Sequence, residues 1–387
     1  MEYITTTTAL EDLCQHLATH TFVTVDLEFL REHSYYAKLC LIQLGSEERC
    51  AVVDPLAEGI DLTPFFTLMQ NSNVTKVFHS GRQDIEIIYN LSGKIPTPLF
   101  DTQIAAMVTG FGESISYENL VLHLLGNHLD KTNRLSDWSK RPLSESQLSY
   151  ALSDVTYLVS LYTQLTQKLD SLNRRDWIKE EMAILENPHT YEIRPEDAWL
   201  KIKHRSHNAF FLTKLKELAA WRERRSQLKN TPRQSFVKDD MLLAVCTTDP
   251  QNKEQLCQIR TFRKDIASGK LGDEILEVLE HCRHIPETEY VTPPKLKDLP
   301  DKNSALFELL KLLLKIVSQQ EGVVARLIAS DENLHAFSCF QDQDNPILSG
   351  WRKDIFGAKA LELRSGNITI AYNPQNKSIE FRHQGQN

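Results

Sequence analysis

Residues 22–29 read FVTVDLEF, an apolar run that carries two carboxylates. Side chains alternate across a strand, so Asp26 and Glu28 share one face while Val23, Val25, Leu27 and Phe29 share the other. At about 3.3 Å per residue the two acids stand roughly 6.6 Å apart, and like charges so placed repel unless a cation lies between them. Asp84 falls in the first turn of a helix that follows another apolar strand. Tyr150 and Asp154 lie one turn apart on the same face of a later helix. There Asp154 borders the apolar stripe close to Leu158, where an unpaired carboxylate is costly. Hard divalent cations such as Mg²⁺ or Mn²⁺ take oxygen ligands of this kind. Two such ions roughly 3.5–4 Å apart activate water and stabilise the leaving oxygen when a phosphodiester is cleaved. Asp26 and Glu28 can serve both ions, with one further acid for each, and Tyr150 is placed to orient the attacking water.

Taken singly, each residue has a plainer reading. Asp26 and Glu28 alone describe a solvated strand face, and Asp84 alone describes an acid favoured by a helix N-terminus. Tyr150 with Asp154 is a common pair on a helix surface. Asp101, just before Thr102, reads as an N-cap. All five residues in this order are far less readily explained by coincidence, and together they point to chemistry.

The elements that must hold them can be read from the pattern. Strand 22–29, the run 35–45 and the run 49–55 follow one another through short connections, which predicts an antiparallel meander. The chain then alternates: strand 74–80, helix 83–91, the short PLFD at 98–101 and helix 102–110. That alternation adds parallel strands to the same sheet. Ser144 and Gln147 form a capping box, and apolar residues recur at helical spacing to 162. Beyond about 200 the sequence is helical, with one bundle from helices at 208–226, 239–247, 251–259 and 271–282. A proline-rich stretch follows at 286–301, then a second helical set to about 365 and a hairpin across Asn373-Pro374.

Composition narrows the classes. With 41% hydrophobic and 25% charged residues, the 387-residue chain is ordinary globular protein, long enough for two or three domains. Its greasiest stretch, 306–317, is interrupted by Glu308, Lys311 and Lys315, too short and too charged to span a bilayer. The start MEYITTTTALEDL lacks the pattern of a secretory leader. Seven cysteines without a CxxC pair argue for free thiols in a reducing compartment, so a cytoplasmic protein is expected. The net charge of −8 conceals a reversal. Residues 201–238 hold eleven Lys and Arg against Glu217 and Glu223, an excess of nine positive charges. A basic block beside an acidic body predicts a polyanionic ligand; a solvated helix face is the bland alternative.

The runs DLEFLREHSYYAKLCLIQLG (26–45), KVFHSGRQDIEII (76–88) and LSESQLSYALSDVTYLVSLY (143–162) resemble the three exonuclease motifs of the ribonuclease D family, in the tyrosine-bearing subclass of the DEDD superfamily. The segment 129–144 resembles that family too. The resemblance implies a ribonuclease-H-like α/β exonuclease domain at 1–190, a mixed sheet with flanking helices. It implies two-metal 3′→5′ hydrolysis of RNA with release of nucleoside 5′-monophosphates, and RNA with a free 3′ end, tRNA precursors above all, as substrate. Asp26, Glu28, Asp84 and Asp154 match the metal-binding acids, and Tyr150 matches the subclass tyrosine. Leu27 departs from the pattern, where a smaller residue such as threonine is expected, but it points away from the acids.

The run 212–245 resembles the helicase-and-RNase-D C-terminal (HRDC) domain, notably Trp221-Arg222-Glu223 and Pro232-Arg233. The segment 350–366 resembles a diverged second copy. The implied organisation is an all-α HRDC domain at 205–285, a linker at 286–301 and a second HRDC-like domain at 302–387. Arg222, Arg224, Arg225, Lys229 and Arg233 are the expected RNA-binding residues; no protein partner and no membrane are evident. A DNA exonuclease of the same superfamily and a silent RNA-binding scaffold stand as alternatives, although a scaffold has no need for clustered acids.

Overall fold

A computed structural model describes residues 2–130, 132–262, 264–292, 304–340, 344–375 and 377–383. The chain begins with β1 (Glu2–Ile4), α1 (Thr7–Leu17), β2 (Phe22–Leu30), β3 (Lys38–Gly45), β4 (Cys50–Val53), α2 (Thr63–Met69) and β5 (Thr75–Phe78). It continues through α3 (Arg82–Ser92), β6 (Leu99–Asp101), α4 (Thr102–Val108), α5 (Tyr117–Leu125), α6 (Glu145–Ser171) and α7 (Arg175–Leu185). Six strands form one sheet in the order β1-β4-β3-β2-β5-β6. As the spacing predicts, β2, β3 and β4 pair antiparallel, and β5 and β6 add in parallel beside β2. The three-residue β1, which the sequence pattern did not mark, pairs in parallel with β4.

The apolar residues of β2, Val23, Val25 and Leu27, are buried in the main core. Ser144 and Gln147 make the expected capping box at the start of α6, which runs nine residues past 162 because Leu165 and Leu169 extend its buried stripe. α6 crosses the sheet closely. A Cβ at Gly45 would lie 2.6 Å from Thr24 Oγ1 and 3.3 Å from Val155 Cβ, so only glycine allows this approach. Thr24 Oγ1 then donates to Val155 O at 2.9 Å, which fixes the turn of α6 that bears Asp154.

A second core forms from α8 (Ala209–Lys229), α9 (Arg233–Phe236), α10 (Asp239–Thr248), α11 (Lys253–Gln258), α12 (Lys264–Ser268) and α13 (Lys270–His284). A third contains α14 (Ala305–Glu321), α15 (Ala325–Ile328), α16 (Asp331–Cys339), α17 (Gly350–Arg352) and α18 (Ala358–Arg364). The expected hairpin follows it as β7 (Ile368–Asn373) and β8 (Ser378–His383). Residues 293–301 of the proline-rich stretch lie outside the described residues. The third core is fastened to the first domain: Trp351 stacks on Trp177 with centroids 4.6 Å apart, and Arg352 reaches Glu180 and Glu181.

The five basic residues expected to hold RNA divide into two groups, and three of them point inward. Arg222 is only 3% exposed; it donates to Val237 O at 2.8 Å and pairs with Asp239 at 2.8 Å. Arg225 grips both oxygens of Glu274, at 2.7 and 2.5 Å. Arg233 pairs with the fully buried Glu223, whose carboxylate also accepts from Tyr35 Oη in the loop after β2. A buried carboxylate needs such partners, so these guanidiniums build the helical domain and join it to the first. Arg224 and Lys229 are exposed, although Arg224 approaches Glu196 at 3.2 Å.

Candidate active site

β2 delivers Asp26 and Glu28 to one mouth of the sheet. Opposite them, Glu28 faces Leu41 while Phe29 faces Leu39, so Cys40 is one extra residue on β3. A bulge of this sort twists the strand end and re-aims the side chains next to it. The same end is tied sideways: Arg31 holds Glu86 of α3 through two hydrogen bonds, at 3.1 and 2.5 Å.

Asp84 is set by the turn between β5 and α3. Asp101 caps α4 through Gln103 N at 2.8 Å, as expected, and its carboxylate also accepts from Ser80 N at 3.0 Å and Gly81 N at 2.9 Å. It therefore clamps the entry to α3 three residues before Asp84. A Cβ at Gly81 would sit 2.4 Å from Phe78 Cβ, so the tight turn requires glycine.

Carboxylate oxygens of Asp26, Glu28 and Asp154 converge to within 4.8 Å of one another. Asp84, 8% exposed, lines the same cavity of about 630 Å³, as does Tyr150. All five site residues expected from the sequence therefore meet in one place.

Burial pushes the Asp26 carboxyl up to about 7. Burial, then the charges of Asp26, Asp154 and Asp84, push Glu28 up to about 10. Asp84 is raised well above the usual range by burial, then by Asp26 and Asp101; Asp154 is raised likewise by burial, then by Asp26 and Glu118. Among the described residues, none of the four is paired with a lysine or arginine. Two ionised carboxylates at that separation repel by roughly 3 kcal/mol per pair at an effective dielectric of 20. The donor set is all oxygen, converging and uncompensated, which fits hard divalent cations.

A stability test follows from these directions. A raised acid keeps its proton in the folded state when the unfolded chain has lost it. Without cations, stability therefore falls as pH rises from the unfolded values near 4 through about 7 and towards about 10. Cations replace those protons, so the rise in Tm on adding Mg²⁺ in place of EDTA should be small at pH 5 and grow up to pH 8. Each kcal/mol of cation binding is worth about 2–4 °C for a domain of this size. Melting curves across that range check it; a pH-independent Mg²⁺ effect would mean binding elsewhere.

Sequence reasoning missed other residues of the cavity. Tyr117 and Glu118 arrive on α5, where Ser116 caps the helix by accepting from Asn119 N. That Ser-x-x-Asn start was the available signal. Tyr117 Oη donates to Ser153 O at 2.9 Å, bracing α6 one residue before Asp154. His79, edge-on to Tyr117 at 5.4 Å, contacts Thr102 Oγ1 at 2.9 Å, and Arg134 stands at the exposed rim.

Comparison with known proteins fixes the family. The chain is 44% identical over 368 residues to ribonuclease D of Acidiphilium cryptum, covering 95% of this chain and 94% of that one. It is 42% identical over 367 residues to ribonuclease D of Gluconacetobacter diazotrophicus, with 95% and 93% covered. The chain belongs to the ribonuclease D family. It is a 3′→5′ exoribonuclease, of an exonuclease family that works with divalent metal ions. The 3′–5′ exonuclease family model matches residues 1–170, and the HRDC domain model matches residues 212–279. The crystal structure of Escherichia coli RNase D superimposes with a TM-score of 0.82 at 29% identity, covering 94% of this chain and 98% of that one. That protein is described as an exoribonuclease involved in structured RNA processing. The expected fold class, an α/β exonuclease domain followed by helical domains, is the fold observed. Among the described residues, no helix is long and apolar enough to cross a membrane.

Proposed function

We propose that this exoribonuclease trims the 3′ ends of structured RNA, tRNA precursors among them, by two-metal hydrolysis that releases nucleoside 5′-monophosphates. The observation that carries the reading is the convergence of the Asp26, Glu28 and Asp154 oxygens, with Asp84 in the same cavity. In this reading Asp26, Glu28, Asp84 and Asp154 would hold two Mg²⁺ or Mn²⁺ ions. Bound there, the ions supply Lewis-acid activation of water and charge stabilisation at the leaving oxygen. Tyr150 has another task. Its Oη, in the same cavity as the acids, orients the attacking water by hydrogen bonding. The unit 1–190 cuts, while the helical units 205–285 and 302–387, joined through 286–301, grip the substrate. The seven free cysteines accord with work in the reducing cytoplasm.

The experiment compares 5′-labelled and 3′-labelled oligomers of RNA and DNA, and a tRNA carrying a 3′ trailer, with Mg²⁺, Mn²⁺ or EDTA. Stepwise shortening from the 3′ end, release of 5′-monophosphates and silence in EDTA are expected. Endonucleolytic products, or trailer removal no faster than digestion of unstructured RNA, would overturn the reading.

Exposure decides which cations can face the substrate. Lys201, Lys203, Arg205 and Lys229 are exposed, whereas Arg222, Arg225 and Arg233 are committed to Asp239, Glu274 and Glu223. Replacing those four exposed residues by glutamine should leave cleavage of a trinucleotide unchanged. It should flatten the plot of log affinity against log salt by about 3 units if all four meet phosphates, at about 0.7 each. Filter binding of tRNA across a salt series measures this; an unchanged slope would make the block a solvated face.

A further inference from the structure

Two histidines and a glutamate converge away from the catalytic cavity. His16 lies in the last turn of α1, and His20 follows in the turn beyond it. Thr19 Oγ1 donates to His16 O at 2.7 Å and His20 N to Leu17 O at 3.2 Å, which keeps the two rings on one side. Their Nε2 atoms are 3.4 Å apart. Glu48, in the turn between β3 and β4, brings Oε2 to 3.8 Å from His16 Nε2. The three ligand atoms all fall within 4.8 Å of one another.

These separations have a chemical meaning. In a tetrahedral site with metal–nitrogen bonds near 2.0–2.1 Å, neighbouring ligand atoms stand about 3.3–3.4 Å apart. The two imidazoles already meet that spacing, and the exposed Glu48 side chain needs only a small rotation. Imidazole nitrogens with one carboxylate select zinc, cobalt or nickel over the hard Mg²⁺. The scaffold is firm: Leu13, Cys14 and Leu17 anchor α1 in the core, and Ser46 Oγ accepts from Glu48 N and Arg49 N at 3.3 and 3.1 Å. The adjoining Arg49 does not oppose a cation, because its guanidinium is spent on Glu2 and Asp12. The site is also separate from the catalytic acids. Thr24 pairs with Gly45, which puts the β3–β4 turn at the beginning of β2, while Asp26 and Glu28 lie towards its other end.

We propose that His16, His20 and Glu48 form a binding site for a divalent transition metal of the zinc class, with water in the fourth position. Such an ion pins the β3–β4 turn to α1. The competing account is a hydrogen bond between the rings, in which one Nε2 carries a proton and the other accepts it.

The test titrates Co²⁺ into the metal-stripped full-length protein in excess Mg²⁺, which holds the catalytic carboxylates. One equivalent should produce the strong visible absorption of four-coordinate cobalt, and Zn²⁺ should displace it. The band should persist in the Asp26→Asn/Asp154→Asn protein. Its Kd should rise at least about tenfold in His20→Ala and in Glu48→Gln, since losing a direct ligand costs no less than losing a supporting partner, roughly 10–100-fold. Both positions are at least partly exposed, and Zn²⁺ should raise Tm in the parent and not in either variant. A wild-type protein that shows no such band overturns the site. So does a band that survives His20→Ala and Glu48→Gln, or one that disappears with the catalytic acids.

Discussion

Replacing Asp154 by asparagine should nearly abolish RNA hydrolysis while leaving the fold intact. The amide keeps the shape of the side chain and removes the charge that attracts a cation. Asp154 is one of three carboxylates whose oxygens converge within 4.8 Å, so its loss opens the cluster on the α6 side. Metal ions contribute several kcal/mol of charge stabilisation to such a transition state, and each 1.4 kcal/mol is tenfold in rate. A fall of roughly 10³-fold or more in turnover is therefore expected, and Asp26→Asn, Glu28→Gln and Asp84→Asn should behave alike. The fold does not depend on this charge, because α6 is held by Val155, Leu158 and Leu161 in the interior. In EDTA the variant should melt no lower than the parent, since one member of a mutually repelling set has been removed. The pair of measurements separates a catalytic defect from a folding defect. Near-normal turnover of a purified Asp154→Asn protein would end the two-metal assignment.

The features legible in the sequence were those set by local period. Strand alternation put Asp26 and Glu28 on one face, helical spacing paired Tyr150 with Asp154, and a capping box marked the start of α6. The meander was legible because short connections between strands leave little topological choice. β1 escaped because three residues are too few to show a period, and its stability comes from pairing with β4 some fifty residues away.

The basic block shows a different limit. Counting charge identified an excess over 201–238, but the direction of each guanidinium is set by partners that sequence distance hides. Arg225 finds Glu274 forty-nine residues on, and Glu223, the partner of Arg233, meets Tyr35 from the loop after β2. Composition reports how many cations there are, and only packing reports which remain free. The cavity shows the same division: the four acids and Tyr150 followed from spacing, whereas Tyr117 and Glu118 arrive on a short helix between the motifs.

Removing the Tyr150 hydroxyl should split turnover from metal binding. In Tyr150→Phe the ring remains, so its tilted packing against Trp138, with centroids 6.1 Å apart, is kept. The carboxylate set is untouched, and Mn²⁺ affinity by calorimetry should match the parent. What is lost is one hydroxyl in the cavity that the four acids line. Groups that orient or transfer a proton in the transition state typically contribute about 10²–10⁴-fold, so kcat should fall by that factor with little change in KM. The pH profile adds a second readout. A group that orients water without passing on its own proton contributes no limb to the parent's profile, so Tyr150→Phe should lower the whole curve without shifting its limbs. If Mn²⁺ affinity in Tyr150→Phe fell as far as it does in Asp154→Asn, the hydroxyl would belong to the cation site and the orienting role would be wrong.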